Sequence, residues 1–66
     1  MDEIEAIKAE IKRLNSQANR LKMDLHDLAE DLPINWEGIP DLAEQTHTTY
    51  RDLNAAKARL AALNGD

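Results

Sequence analysis

An apolar residue recurs at every third or fourth position along both halves of this chain, and this spacing constrains the fold more than any other feature. In the first half, steps of three and four residues alternate without a break from Ile4 to Leu32. A second stripe with the same spacing runs from Ile39 to Leu63. Such spacing places each stripe on one side of an α-helix and matches the a and d positions of a heptad repeat. The sequence therefore predicts two amphipathic helices.

The only two prolines of the chain lie between the stripes and set the predicted helix ends. Proline disfavours helical geometry in the residue before it, so we expect the first helix over residues 2–32, ending before Pro33. Pro40 suits the first turn of a second helix, where a missing N–H is tolerated, and this helix is predicted over residues 40–64.

Residues 33–39 form the predicted connection, which is short enough to make the two helices antiparallel. We expect the ring of Trp36 to close over the end of the helical core, because so large an apolar surface gains from burial. The second stripe is narrow near its middle, where it carries Thr46 and Thr49. We expect Tyr50 to fill the space that these small side chains leave.

The predicted fold class is all-α, an antiparallel two-helix hairpin forming a single domain over residues 1–66. A chain this short supports only a small core, and without cysteine it has no disulfide to reinforce it. A hairpin also cannot cover its own seam from both sides, so we expect a homodimer that forms a four-helix bundle, with larger assemblies left open. The predicted dimer core consists of Ile7, Ile11, Leu14, Leu21, Leu25, Leu28, Leu53 and Leu60.

The charge balance disfavours nucleic acid as a partner. Thirteen acidic residues outnumber eight basic ones, which opposes binding to a phosphate backbone. The basic stretch from Lys8 to Lys22 leaves RNA as a third-ranked partner, whose affinity would fall steeply with salt.

No apolar run approaches the roughly 20 residues of a membrane span. The acidic N-terminal stretch also lacks the features of an export signal, so we expect a cytoplasmic protein without membrane contact.

The segment from Met23 to Glu44 contains seven carboxylates and no Lys or Arg. Several of these carboxylates fall near the end of the first helix, where the helix dipole favours basic side chains. Local rules are often broken at functional sites, so we expect this end of the hairpin to bind a partner protein. The predicted contact residues are Asp24, His26, Asp27, Glu30, Asp31, Trp36 and Glu37.

The sequence shows no catalytic constellation, and we expect the protein not to be an enzyme. It has no cysteine and no glycine-rich phosphate loop, and its one serine lies far in sequence from either histidine. His26 and Glu30 are one helical turn apart and could share a divalent metal ion, which is the alternative function. His47 and Glu44 form a second one-turn pair that could contribute. No other cofactor is expected.

The run KMDLHDLAEDLP, followed by NWEGIPDLAEQTHTTYRDL, resembles the small Rop-like proteins encoded in nitrogen-fixation gene clusters. The specific part is Met23–Pro33, followed by Trp36-Glu37 and Ile39-Pro40. The resemblance implies an antiparallel helical hairpin that assembles as a rod-like four-helix dimer. It also implies a role connected with nitrogenase, in maturation, protection or regulation, and it assigns no catalytic residue. The expected function is thus that of a non-catalytic accessory protein whose partner is nitrogenase-related.

Overall fold

A computed structural model describes residues 2–65, and in this range the chain forms two long α-helices joined by a short turn. The two terminal residues of the predicted domain lie outside it. The elements are α1 (Glu3–Asp31), a 3₁₀ turn (Trp36–Gly38) and α2 (Ile39–Asn64). Each helix begins and ends within one residue of its predicted position.

The ends of α1 follow from side chains in the local sequence. At its start, the Asp2 carboxylate accepts a hydrogen bond from the backbone N–H of Glu5 at 2.8 Å, which caps one of the free donors of the first turn. At its other end, the helix stops at Asp31 because Pro33 follows two residues later. The Leu32–Pro33 peptide bond is cis.

The connection reverses the chain in a few residues. Asn35 adopts a left-handed backbone conformation with φ 63°, which asparagine tolerates better than most residues. The 3₁₀ turn follows directly and leads into α2, with Pro40 in the first turn of that helix. At the far end of α2, Gly65 takes φ 78° and its N–H reaches the carbonyls of Ala61 and Ala62. The chain thus forms the predicted antiparallel hairpin.

The core is one narrow row of side chains between the helices of a rod measuring 47 × 16 × 15 Å. At its centre, Leu14 and Ala18 of α1 pack with Leu53 and Ala56 of α2. The two alanines are the most completely buried of these, and no large side chain of residues 2–65 is completely buried. The buried residues are Ile7, Leu14, Ala18, Leu21, Thr46, Thr49, Leu53 and Ala56.

The predicted dimer-core residues divide into two groups within the single hairpin. Ile7, Leu14, Leu21 and Leu53 are buried between the two helices. The other four remain partly exposed, namely Ile11, Leu25, Leu28 and Leu60. The hairpin therefore covers only part of its own apolar stripes.

Both predictions for the aromatic side chains are wrong for the hairpin. Trp36 is 60 % exposed at the start of the 3₁₀ turn, so its ring does not close over the core. Tyr50 is 41 % exposed, while Thr46 and Thr49 are themselves buried, so the threonines and not the tyrosine ring occupy the core there. The Thr46 hydroxyl donates to the carbonyl of Leu42 at 2.8 Å, so this threonine enters the core with its polar atom satisfied.

The close packing of small residues predicts that a larger side chain at Ala56 destabilises the hairpin. Ala56 is 0 % exposed, so we expect Ala56→Leu to lower the free energy of unfolding by about 1–3 kcal/mol through overpacking. Ala58→Leu is the matched control, because this alanine is exposed on the same helix and should have little effect. Thermal unfolding followed by circular dichroism measures both, and equal melting temperatures would contradict this packing.

The carboxylates at the end of α1 predict the opposite effect. No basic side chain lies in the last turn of α1, where Glu30 and Asp31 face the negative end of the helix dipole. We expect a variant combining Asp27→Asn, Glu30→Gln and Asp31→Asn to be more stable, by a few tenths of a kcal/mol for each change at low salt. Thermal unfolding at low and high salt tests this. A variant less stable than the parent chain at low salt would contradict it.

Candidate functional site

The turn end of the rod presents acidic and apolar side chains to solvent together. We call residues 23–44 the acidic tip. Every residue from 29 to 41 is exposed, so neither helix shields the connection. The seven predicted contact residues, Asp24, His26, Asp27, Glu30, Asp31, Trp36 and Glu37, are all exposed. Each of these side chains is therefore accessible from solvent in the hairpin as it stands.

Exposed apolar side chains at the acidic tip were not predicted from the sequence. Ile34 is 66 % exposed beside Trp36, and the last residues of the two stripes, Leu32 and Ile39, are also exposed. Leu32 and Ile39 follow the heptad spacing and are the members of the two stripes nearest the connection. Ile34 lies between Pro33 and Asn35, in a connection too short to fold over its side chain. This position is the one sequence signal from which the exposure of Ile34 could have been predicted.

A shallow apolar groove lies between the two helices next to the connection. Its lining side chains are Leu25, Leu28, Ala29, Leu32 and Ile39. Leu25 and Leu28 are half-buried there, while Ala29, Leu32 and Ile39 are exposed, so the seam is less covered than at Ala18 and Ala56. The tip thus combines an apolar surface with surrounding carboxylates.

On the outer surface of α1, His26 lies between two carboxylates. Its Nε2 is 3.6 Å from Oε1 of Glu30, and its Nδ1 is 3.8 Å from Oδ1 of Asp27. All three side chains are more than two-thirds exposed, so these contacts are well hydrated and contribute little to stability. They do hold the imidazole and both carboxylates together as one polar patch.

The geometry limits what this patch can do with a metal ion. The two carboxylates face different ring nitrogens, so an ion on Nε2 can share Glu30 but not Asp27. Within residues 2–65, no three His, Asp or Glu side chains converge on one point. In the same range, no carboxylate oxygen lies within 4.0 Å of His47, so the second predicted pair with Glu44 is not formed. Within residues 2–65, the neighbouring metal donors on α1 are therefore the pair His26 and Glu30.

Neither helix within residues 2–65 has an apolar stretch long enough to cross a lipid bilayer. This agrees with the alternation of apolar and charged residues along both helices.

The only long-range ion pair between the helices in that range joins Arg59 to Glu10, with Nη2 donating to Oε2 at 2.6 Å. Like the patch at His26, it lies at the surface.

Proteins with closely similar sequences are known from several bacteria. A UPF0437 protein of Azorhizobium caulinodans is 46 % identical over 63 residues, covering 96 % of this chain and 91 % of the relative. One from Trichormus variabilis is 52 % identical over 60 residues, or 91 % of this chain and 70 % of the relative. A third, from Frankia alni, is named a UPF0437 protein in the nifX-nifW intergenic region. It is 52 % identical over 48 residues, which are 73 % of this chain and 58 % of that protein.

The hairpin itself matches a solved structure. An NMR structure from the Northeast Structural Genomics Consortium superimposes with a TM-score of 0.90, covering 98 % of this chain and 92 % of that one at 48 % identity. The predicted hairpin fold is therefore confirmed. The family model described as Rop-like matches residues 2–65, which confirms the resemblance found in the central run. From the match over this full range, together with the shared hairpin, it follows that the chain belongs to the Rop-like family.

Proposed function

We propose that this protein is a non-catalytic, cytoplasmic accessory protein of nitrogen fixation that binds a nitrogenase-related protein through its acidic tip. One observation carries the proposal: the tip exposes apolar side chains inside a surface that holds seven carboxylates and no basic residue. The name of the Frankia alni relative, which refers to a region between nif genes, supports the pathway.

The acidic tip exposes side chains of the kinds that protein contact surfaces use. Contiguous exposed apolar surface is uncommon on soluble proteins and marks interaction sites. Tryptophan is enriched among the residues that dominate binding energy, and Trp36 has its ring available with Ile34 beside it. The surrounding carboxylates would speed association with a basic surface and disfavour acidic ones.

The helix dipole adds a second argument. Asp31 ends α1 and Glu30 precedes it, with no basic residue in that turn to offset them. These positions reduce the stability of the helix slightly, and a binding role gives a reason to retain them. In the same proposal the protein acts as a homodimeric four-helix bundle, supported by the partly exposed stripe residues Ile11, Leu25 and Leu28.

Affinity capture from cells that are fixing nitrogen tests the tip. We expect the tagged protein to enrich a nitrogenase component or assembly factor, identified by mass spectrometry. The variant with Asp27→Asn, Glu30→Gln and Asp31→Asn should lose most of that partner, because it removes the charges that face a basic surface.

A matched control separates the site from overall charge. Glu3→Gln, Glu5→Gln and Asp52→Asn together remove the same three charges, but from exposed positions away from the tip. This control should retain the partner. Loss of the partner from both variants, or from neither, would contradict binding through the acidic tip.

Divalent metal binding is the second candidate function, favoured by the 3.6 Å separation of His26 Nε2 and Glu30 Oε1. Calorimetric titration with nickel, zinc and iron(II) then gives heat at micromolar metal. The heat is lost in His26→Ala and retained in His47→Ala. Absence of heat from the parent chain, or equal heat from both variants, would contradict this function.

A further inference from the structure

The turn end of the rod places apolar side chains among carboxylates within a short stretch of chain. We call residues 30–41 the end face, and every residue in it is exposed. Four of these residues are acidic, and none is Lys, Arg or His. Ile34 and Trp36 are the most exposed of its large apolar side chains. Apolar and ionic contacts are therefore both available to one bound segment.

Backbone hydrogen bonds tie the exposed residues of the end face to their neighbours in the turn. The N–H of Ile34 donates to the carbonyl of Asp31 at 2.9 Å. The N–H of Trp36 donates to the carbonyl of Pro33 at 3.4 Å, and the carbonyl of Trp36 accepts a hydrogen bond from Ile39. Because this backbone is already ordered, binding here costs less conformational entropy than binding to a flexible loop.

The charge of the end face decides which kind of molecule can cover it. Repulsion between like charges opposes contact with nucleic acid, with an anionic lipid surface or with an acidic protein. It equally opposes contact with the end face of a second copy, which carries the same four carboxylates. Glu30 and Asp31 also lie in the last turn of α1, where the helix dipole adds negative potential. The complementary occupant is therefore a cationic segment.

The position of Trp36 beside Glu37 favours arginine over lysine as the cation. The two residues are consecutive in the 3₁₀ turn, so their Cα atoms lie about 3.8 Å apart. A guanidinium is planar and can stack on an aromatic ring while its N–H groups pair with a carboxylate. The ammonium of lysine is a compact, strongly hydrated charge that does not combine these two contacts.

We propose that the end face binds an arginine-containing apolar segment of the partner protein. The guanidinium stacks on Trp36 and pairs with Glu37, while an apolar side chain of the segment packs against Ile34. This inference rests on the proposed function, because it names the chemistry of the partner at the acidic tip. It adds that binding depends on the ring of Trp36 as well as on the number of carboxylates.

Calorimetric titration of the purified chain with two short peptides tests this proposal. Both peptides contain leucine and alanine, and they differ only in carrying arginine or lysine at the same positions. We expect the arginine peptide to bind about two- to fivefold more tightly, as an exposed cation–π contact predicts. Trp36 is the only tryptophan, so a change in its fluorescence places the peptide at the end face. Absence of binding, equal affinity of the two peptides, or unchanged fluorescence would overturn the proposal.

Two aromatic substitutions test the role of the ring. Trp36→Leu removes the aromatic face but keeps an apolar side chain, so it should make the two peptides bind equally. Tyr50→Leu is the matched control, because it removes the other aromatic residue from an exposed position on α2. This control should keep the preference for arginine, and circular dichroism shows that both variants keep their helices. A preference that survives Trp36→Leu, or that is lost in Tyr50→Leu, contradicts stacking on Trp36.

A second pair of variants tests the carboxylate. We expect Glu37→Gln to raise the dissociation constant of the arginine peptide by about two- to fivefold, as for an exposed ion pair. Glu3→Gln removes the same charge at the start of α1 and should have less effect. Equal effects of the two substitutions would overturn the assignment of Glu37.

Affinity capture with Trp36→Leu separates this inference from the proposed function. The variant should lose the partner that the parent chain captures. If Trp36→Leu retains the partner while the variant with Asp27→Asn, Glu30→Gln and Asp31→Asn loses it, the inference fails and the proposed function stands. A smaller oligomer of pure Trp36→Leu in sedimentation would show that a second copy covers the end face, which also overturns the proposal.

Discussion

The close approach of two helices at small side chains is the contact on which the rest of this structure depends. Ala18 and Ala56 are almost completely buried where the helices meet, with Leu14 and Leu53 packed against them. Dispersion contacts fall off within an ångström of the optimal separation, so only small residues allow such an approach without voids. The result is a core one side chain wide. Its narrowness leaves the outer members of both stripes in contact with water.

Because the core is narrow, most residues of the chain lie at the surface, and the distribution of charge there distinguishes the two ends of the rod. With few positions committed to packing, most residues are free to be charged, and the chain uses this freedom unevenly. Carboxylates are concentrated around the turn, while basic residues predominate toward the end of the rod that holds the two chain termini. In a rod 47 Å long, this separation gives the molecule two chemically different ends. Binding at one end and self-association along one side are therefore compatible, since they use different surfaces.

Heptad spacing and the two prolines were enough to predict the hairpin and its helix ends, because these signals act within a few residues. The positions of Trp36 and Tyr50 were predicted wrongly for a different reason. A heptad pattern assigns a side chain to one side of a helix, but it does not say how far apart the helices lie or how a connection bends. Asn35 in a left-handed conformation and the 3₁₀ turn after it decide where Trp36 points. Thr46 and Thr49 are buried in the core, whereas Tyr50 stays largely exposed.

The candidate site was predictable to a similar extent. The run of carboxylates without a basic residue is visible in the sequence, and all seven predicted contact side chains are exposed. The exposed apolar side chains of Leu32, Ile34 and Ile39 were not foreseen. Two of them, Leu32 and Ile39, obey the spacing of the core, which does not say that they stay exposed where the chain turns. Their exposure is the observation on which the proposed contact surface rests.

The shortness of the connection has a consequence for the order in which the hairpin forms. Leu32 and Ile39, which line one groove, are seven residues apart, whereas Leu14 and Leu53 at the centre of the core are 39 apart. Closing the longer loop first costs about 1.5 kcal/mol more chain entropy than closing the shorter one. Folding is thus favoured to start at the turn and to proceed toward the end of the hairpin that holds the two chain termini. The part of the molecule that is least covered in the finished hairpin is then the part that brings the two helices together.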